Sequence, residues 1–197
     1  MKNIKYKRRK EIFMKQVIFN KEGLTDEEIE MKEQRVKVVL RNANDDLLLC
    51  KVDGVYHFVG GHPEEDESIN DCAKREVKEE TGIDMESGTF TPFLELKQYK
   101  SDYFGTGKNG LATITYIDGK TDKRFDYEER KLDEKEAEKE FILEYVKIDD
   151  VMSVLERNRE VSKKQNKEFI TTEMMYVISE YQKQLSKLKE NKEEMER

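Results

Sequence analysis

The segment from Gly61 to Ile83 constrains this chain more than any other. Gly61 is followed after five residues by Glu67, then after seven by Arg75-Glu76-Val77, then by Glu79-Glu80 and Gly82-Ile83. Ser68 is a helix-capping residue and Gly82 a natural stop, so the helix formers between them predict a helix over Ile69–Thr81. At about 100° per residue, spacings of three and four bring Glu76, Glu79 and Glu80 onto one face. Ile69, Cys72 and Ala73 occupy the same half of that helix, whereas Asp71, Lys74 and Lys78 occupy the other. The acids therefore face the protein.

A glutamate cluster on a charged helix is ordinarily a solvated surface, but this placement fits that reading poorly. Carboxylates gathered and partly withdrawn from water repel one another and protonate unless a cation compensates them. Mg²⁺ meets the need: it prefers oxygen ligands and keeps waters that substrate phosphates can replace, and Mn²⁺ is the expected substitute. Arg75 lies one turn before Glu79, so a pair between them would orient the carboxylate. The plainer alternative for Arg75 is a surface ion pair of small worth. Gly61 permits backbone geometry that a Cβ would forbid.

The spacing resembles the box of the Nudix hydrolases at every fixed position, and a chance match is on the order of one in a million at ordinary residue frequencies. The resemblance implies an α/β fold, an α/β/α sandwich around a mixed sheet, over about Val36 to Leu155. It implies Glu79 and Glu80 as principal metal ligands, Glu76 as a further ligand or the base, Glu67 as a contributor through water, Arg75 as the orienting residue and the Gly61 carbonyl beside the metal. The implied reaction is attack of metal-activated water on phosphorus in a nucleoside diphosphate linked to another moiety. In the family the base also comes from a later loop, where Glu136, Glu138 and Glu140 are candidates beside the plainer reading of a solvated Lys/Glu run. The sequence departs from the family pattern at Val59, often proline, and at Asp66, often glycine, with Pro63 also in the loop.

Around this segment, Val36–Leu40 and Leu47–Val52 read as a hairpin across the turn-like Asn42–Asp46, and Tyr56–Val59 as a third strand. Phe90–Tyr99 and Leu111–Ile117 read as a pair, Phe141–Ile148 as another strand and Asp149–Leu155 as a short helix. Before them, Thr25 and Glu28 have capping-box spacing and predict a helix in an N-terminal extension whose first ten residues carry Lys2, Lys5, Lys7, Arg8, Arg9 and Lys10. After them, Ile170, Met174, Val177, Tyr181, Leu185 and Leu188 define one stripe of a long helix. Packing on the domain is the plainer cover for that stripe, a homodimer contact the sharper one. The expected division is a basic extension over 1–34, a hydrolase domain over 35–158 and a helical tail over 159–197.

Composition sets the remaining bounds. Charged residues make up 41% of the 197 residues and the net charge is -7, so a phosphate-rich ligand needs a cation or a local basic patch. Cys50 and Cys72 do not suggest a disulfide framework, and no stretch approaches the roughly 20 apolar residues of a membrane span, which together predict a soluble cytoplasmic protein.

For the substrate, Tyr103 and Phe104 beside the glycine loop are the stacking candidates, against a core role for strand aromatics such as Tyr56 and Phe58. Tyr99, sixteen residues past Ile83, resembles the downstream tyrosine of the diadenosine polyphosphate branch. His62 is placed to touch a phosphate, whereas His57 packs. The expected substrates are nucleoside triphosphates, dinucleotide polyphosphates or nucleotide sugars. RNA 5′-end processing is the alternative that the basic N-terminus suggests, and a non-catalytic nucleotide-sensing domain is one that the intact glutamates oppose.

Overall fold

A computed structural model describes residues 14–86 and 89–196, apart from the side chains of Lys135, Glu136, Lys189 and 191–196. The basic cluster Lys2 to Lys10 lies outside the described residues. Strand β2 (Met31–Arg41) is central. Its Val36–Leu40 half is buried on both faces, which is why five consecutive positions read as a nearly apolar run. It pairs in parallel with β6 (Gly110–Lys120) along its whole length, and at Leu40 and Arg41 it pairs antiparallel with β3 (Asp46–Val52).

The mixed sheet runs β1 (Lys15–Phe19), β5 (Thr91–Lys100), β6, β2, β3, β4 (Val55–His57), with β7 (Phe141–Lys147) also paired to β3. Strand β5 pairs with β6, as the sequence suggests, in antiparallel fashion, and the hairpin across Asn42–Asp46 is present. Two features differ from the sequence reading. Strand β2 begins at Met31 rather than Val36, because β6 supplies a partner that polar side chains do not advertise. The Thr25 capping signal encloses only one 3-10 turn, Asp26–Glu28, before the chain enters β2, while β1 joins the sheet edge in parallel with β5.

Helix α1 (Ile69–Thr81) covers one face. Its Cys72, Ala73 and Val77 pack with Val36, Val38, Leu40, Leu48 and Ile117. The short α2 (Glu134–Ala137) precedes β7. Helices α3 (Val151–Lys164) and α4 (Glu168–Glu196) cover the opposite face, where Val151, Leu155, Met174, Val177, Ile178 and Tyr181 pack on Val39, Leu47, Leu49 and Tyr116. The result is the expected α/β/α sandwich. The tail stripe is thus core at Met174, Val177 and Tyr181, while Leu188 is exposed.

Alternation along β2 also sends Lys37 to the α4 side, where its Nζ lies 3.3 Å from Glu173. The Glu173 carboxylate accepts from the Tyr116 hydroxyl at 2.5 Å and Gln98 Nε2 at 2.9 Å, so this buried charge is surrounded by donors. Among the described residues, no helix is long and apolar enough to cross a membrane.

Candidate active site

Past β4 the chain stays against β2. The Val38 N–H donates to the Val59 carbonyl at 2.8 Å, and the Val36 N–H to the Gly61 carbonyl at 2.9 Å. This contact needs Gly60 and Gly61. A Cβ on Gly60 would collide with the Val36 carbonyl, and one on Gly61 would overlap the carboxylate of Glu76. The Gly60 N–H donates to Glu80 Oε2 at 3.3 Å. Two carboxylates of α1 therefore lie against one dipeptide of backbone, and both are buried, Glu76 at 8% and Glu80 at 4% exposure.

The local sequence holds the helix that delivers them. Ser68 accepts from the Asp71 N–H at 3.2 Å, and Gly82, in the left-handed region, closes the end with its N–H on the Lys78 carbonyl. Arg75 then ties the acids together. Its Nε and Nη2 each reach a different oxygen of Glu67 at 2.9 Å, its Nη1 reaches Glu76 at 2.8 Å and Glu79 at 2.9 Å, and Nη2 also donates to the His62 carbonyl at 3.0 Å. These bonds, those to Glu67 above all, raise the Arg75 pKa, and the same guanidinium holds the Glu67 carboxyl below its ordinary value. Burial, with the charges of Glu76 and Glu67, pushes the Cys72 thiol up to about 12. The Cys72 thiol therefore stays protonated at neutral pH.

Beside α1 an open groove of about 270 Å³ is lined by Lys74, Lys78 and Lys131 together with Asp71, Arg75, Glu79 and Asp84. Its far wall belongs to the β6–β7 connection, fastened by the Asp126 N–H on the Thr81 carbonyl and the Lys131 N–H on the Glu79 carbonyl, each at 2.8 Å. Lysines and carboxylates, Glu79 among them, thus share this groove, a lining that suits a polyanion bound together with a cation.

The family model for the NUDIX domain matches residues 31–171. The chain belongs to the Nudix family. It is a Nudix-type hydrolase, and the box read in the sequence is the helix and loop just described. No curated protein sequence matches it. Solved structures similar to it include the MutT protein from Methanosarcina mazei Go1, 20% identical over 62% of this chain and 82% of that one, with TM-score 0.42. A MutT protein from Bacillus halodurans is 21% identical over 61% and 72%, with TM-score 0.45. A C. elegans Ap4A hydrolase is 13% identical over 78% and 98%, with TM-score 0.48.

The departures from the usual Nudix box have physical accounts. Asp66, where glycine is common, takes φ 61°, a left-handed conformation that aspartate tolerates better than most residues. Its turn is closed by the Glu67 N–H on the Glu64 carbonyl at 3.1 Å. Val59 is fully buried and bridges Val38, so the position is filled by packing.

The other expected site residues are distributed unevenly. His62 and Tyr103 are brought together through Glu33 of β2, which sequence reasoning missed. His62 Nε2 lies 2.6 Å from Glu33 Oε1, and the Tyr103 hydroxyl donates to Glu33 Oε2. Phe104 is 67% exposed, its ring centroid 4.3 Å from that of Tyr103. Tyr99 makes its hydroxyl bond to Asp26, at 2.6 Å, rather than to any residue of the box. Glu138 and Glu140 are exposed, and Glu140 is moored through its backbone to Asp53; the Glu136 side chain lies outside the described residues. His57 is half-buried, and desolvation lowers its pKa to about 3 and keeps the ring neutral.

Proposed function

We propose that this chain is a Mg²⁺-dependent pyrophosphohydrolase of nucleotides, with Mn²⁺ as substitute ion. Its substrate is a nucleoside diphosphate linked to a further phosphate, nucleotide or sugar. The observation that carries the reading is the burial of Glu76 and Glu80 against Gly60–Gly61, an arrangement of hard oxygens that a Cβ would destroy. Among the described residues no three acidic, histidine or cysteine side chains enclose an ion as they stand, since Arg75 draws Glu79 and one oxygen of Glu76 to itself. The donor set nevertheless fits a hard divalent cation: the carboxylates of Glu76, Glu79 and Glu80 would hold it, and the Gly61 carbonyl, which already accepts from the Val36 N–H, keeps a lone pair for it. Such an ion supplies Lewis acidity at the phosphoryl group.

The chain's own residues supply the rest. Arg75 gathers Glu67, Glu76 and Glu79 into one cluster, so that only a small turn of Glu76 and Glu79 separates the arrangement seen here from one that would hold the ion. Lys74, Lys78 and Lys131 place positive charge where phosphates beyond the scissile bond would lie on an otherwise acidic protein. The exposed Phe104 ring, backed by the buried ring of Tyr103, offers a stacking surface for a base, and His62, next to Gly61, is placed to meet a phosphate. Water adds across the P–O–P bridge: one P–O bond forms, the bridging P–O bond breaks, and two phosphate products leave. The buried thiols of Cys50 and Cys72 support a reducing, cytoplasmic setting.

The test is a panel of nucleoside triphosphates, dinucleotide polyphosphates, nucleotide sugars and capped RNA, assayed with Mg²⁺ and read by product mass. Cleavage of a small nucleotide at its phosphoanhydride is the expected result. Cleavage of capped RNA alone, or of nothing, would overturn the reading.

A further inference from the structure

Glu33 stands on β2 with Arg35 and Lys37 on the side-chain face opposite Val36 and Val38, the valines that pack with α1. Its side chain is only 14% exposed and is shared by three donors: His62 Nε2 and Arg35 Nε on one oxygen, the Tyr103 hydroxyl on the other. Those donors come from different parts of the chain. His62 follows Gly61 at the mouth of the box, whereas Tyr103 begins the turn Tyr103–Gly105 between β5 and β6.

That turn is held under strain. Asp102 and Phe104 both have left-handed φ, 46° and 54°, an arrangement unusual for a bulky aromatic residue. The surroundings over-determine it. The Tyr103 ring lies against Gly110, where a Cβ would collide with it, the Tyr103 N–H donates to the Lys108 carbonyl at 2.7 Å, and the Gly107 N–H donates to Asp102 at 2.6 Å. The outcome is an apolar ring, Phe104, held out in water beside Tyr103.

From this arrangement, and resting on the function proposed above, we infer that Glu33 is a specificity-determining positioning residue. One carboxylate fixes the span between the aromatic turn, where a base stacks, and the mouth of the box, where the phosphates are cut. The length of the bridge between base and scissile bond is thereby selected. Glu33 touches neither the acids of α1 nor Arg75 by any hydrogen bond among the described residues, so its effect is on the base side of the substrate.

Glu33→Gln keeps the volume and replaces one acceptor oxygen by a donor, and Tyr103→Phe removes only the hydroxyl. In each, KM for the preferred substrate rises about tenfold with kcat within about threefold, the loss expected for one charge-assisted hydrogen bond. The double variant is no worse than the weaker single one, because both cut the same tether. The ratio of kcat/KM between substrates sharing a base but differing in bridge length narrows, and the Mg²⁺ activation curve is unmoved. Unchanged KM, additive losses or a shifted Mg²⁺ curve would overturn the inference. Calorimetric binding of ADP with Ca²⁺ reads the tether without turnover. A Kd about tenfold weaker in Glu33→Gln supports it, and equal affinity, or no ADP binding by the unaltered chain, overturns it even where hydrolysis is intact.

Discussion

Arg75 grips Glu67 with two parallel hydrogen bonds, Nε to one carboxylate oxygen and Nη2 to the other, both 2.9 Å long. The pair spans from the box loop to α1, and the remaining nitrogen holds Glu76 and Glu79. A lysine has one point of charge and no fork, so it cannot reproduce this geometry. Arg75→Lys is expected to lower kcat by about 10–100-fold, the range for a group that orients metal ligands. Circular dichroism should show the helix retained, because Ser68 and Gly82 cap it independently. Steady-state kinetics with saturating Mg²⁺ checks the loss; a variant as fast as the parent would remove Arg75 from the mechanism.

Glu79→Gln and Glu80→Gln compare a half-exposed and a buried acid of the same helix face. Both amides keep the shape and remove the charge that would hold a divalent cation. Each is expected to abolish Mg²⁺-dependent hydrolysis while the protein still unfolds cooperatively. Glu79, at 37% side-chain exposure, should tolerate the change with little effect on melting temperature. Activity and thermal melts on the same preparation test both halves of the expectation.

What the sequence made legible follows from where the information is local. The limits of α1 could be read because Ser68 and Gly82 carry cap and stop signals within a few residues of the helix. That Glu76 and Glu80 share a helix face could be read because helical periodicity defines it, whereas their approach to Gly60 and Gly61 came only through the resemblance to the family's box. Glu33 escaped notice because its partners lie 29 and 70 residues away and β2 is polar in that half. Helix α3 outruns its apolar signal at Leu155 for a similar reason: Asn158 and Gln165 dock it by donating to the Gly54 and Asp53 carbonyls, contacts with no periodicity.

Acid should weaken the bonds that Arg75 makes to Glu67. The hydrogen bonds of Arg75 hold the Glu67 carboxyl below its ordinary value of 4.5, so the folded state favours the ionised form. A depressed carboxyl contributes stability that is complete above the unfolded pKa and is lost as pH falls through the folded one. Melting temperature should therefore decline as pH drops below that ordinary value. In Glu67→Gln the melt starts lower at neutral pH and declines less. Parallel curves for the two proteins would show that this carboxyl is not a source of the acid sensitivity.

Glu173 offers a stability test remote from the carboxylates of α1. Burial pushes its pKa up, but Lys37, Tyr116 and Gln98 outweigh burial and hold it below the ordinary value. Removing the acid strands Lys37, whose side chain is 11% exposed, without its counter-charge. Glu173→Ala is expected to cost about 3–5 kcal/mol in denaturant unfolding, the range for breaking one side of a buried pair. Glu173→Gln keeps the hydrogen-bonding shape and should cost less. Equal losses for the two would mean that volume rather than charge sets the effect.

Truncation after Asn158 removes all of α4 and the last turns of α3. Met174, Val177, Ile178 and Tyr181 of α4 are each at most 2% exposed, and they cover Leu47, Leu49, Phe93 and Tyr116 on the sheet. Each such side chain contributes about 1.5–3 kcal/mol on burial, so four of them approach the whole 5–15 kcal/mol that holds an ordinary domain together. The Tyr181 hydroxyl adds a 2.5 Å bond to Asp118, which also pairs with Arg41 of β2. The shortened chain is therefore expected to lose its cooperative thermal transition and to aggregate through the uncovered face. A chain cut instead after Lys187 keeps all four residues and should melt near the full-length value. If the shorter chain melts like the longer one with an unchanged mass, the helix is not a layer of this fold.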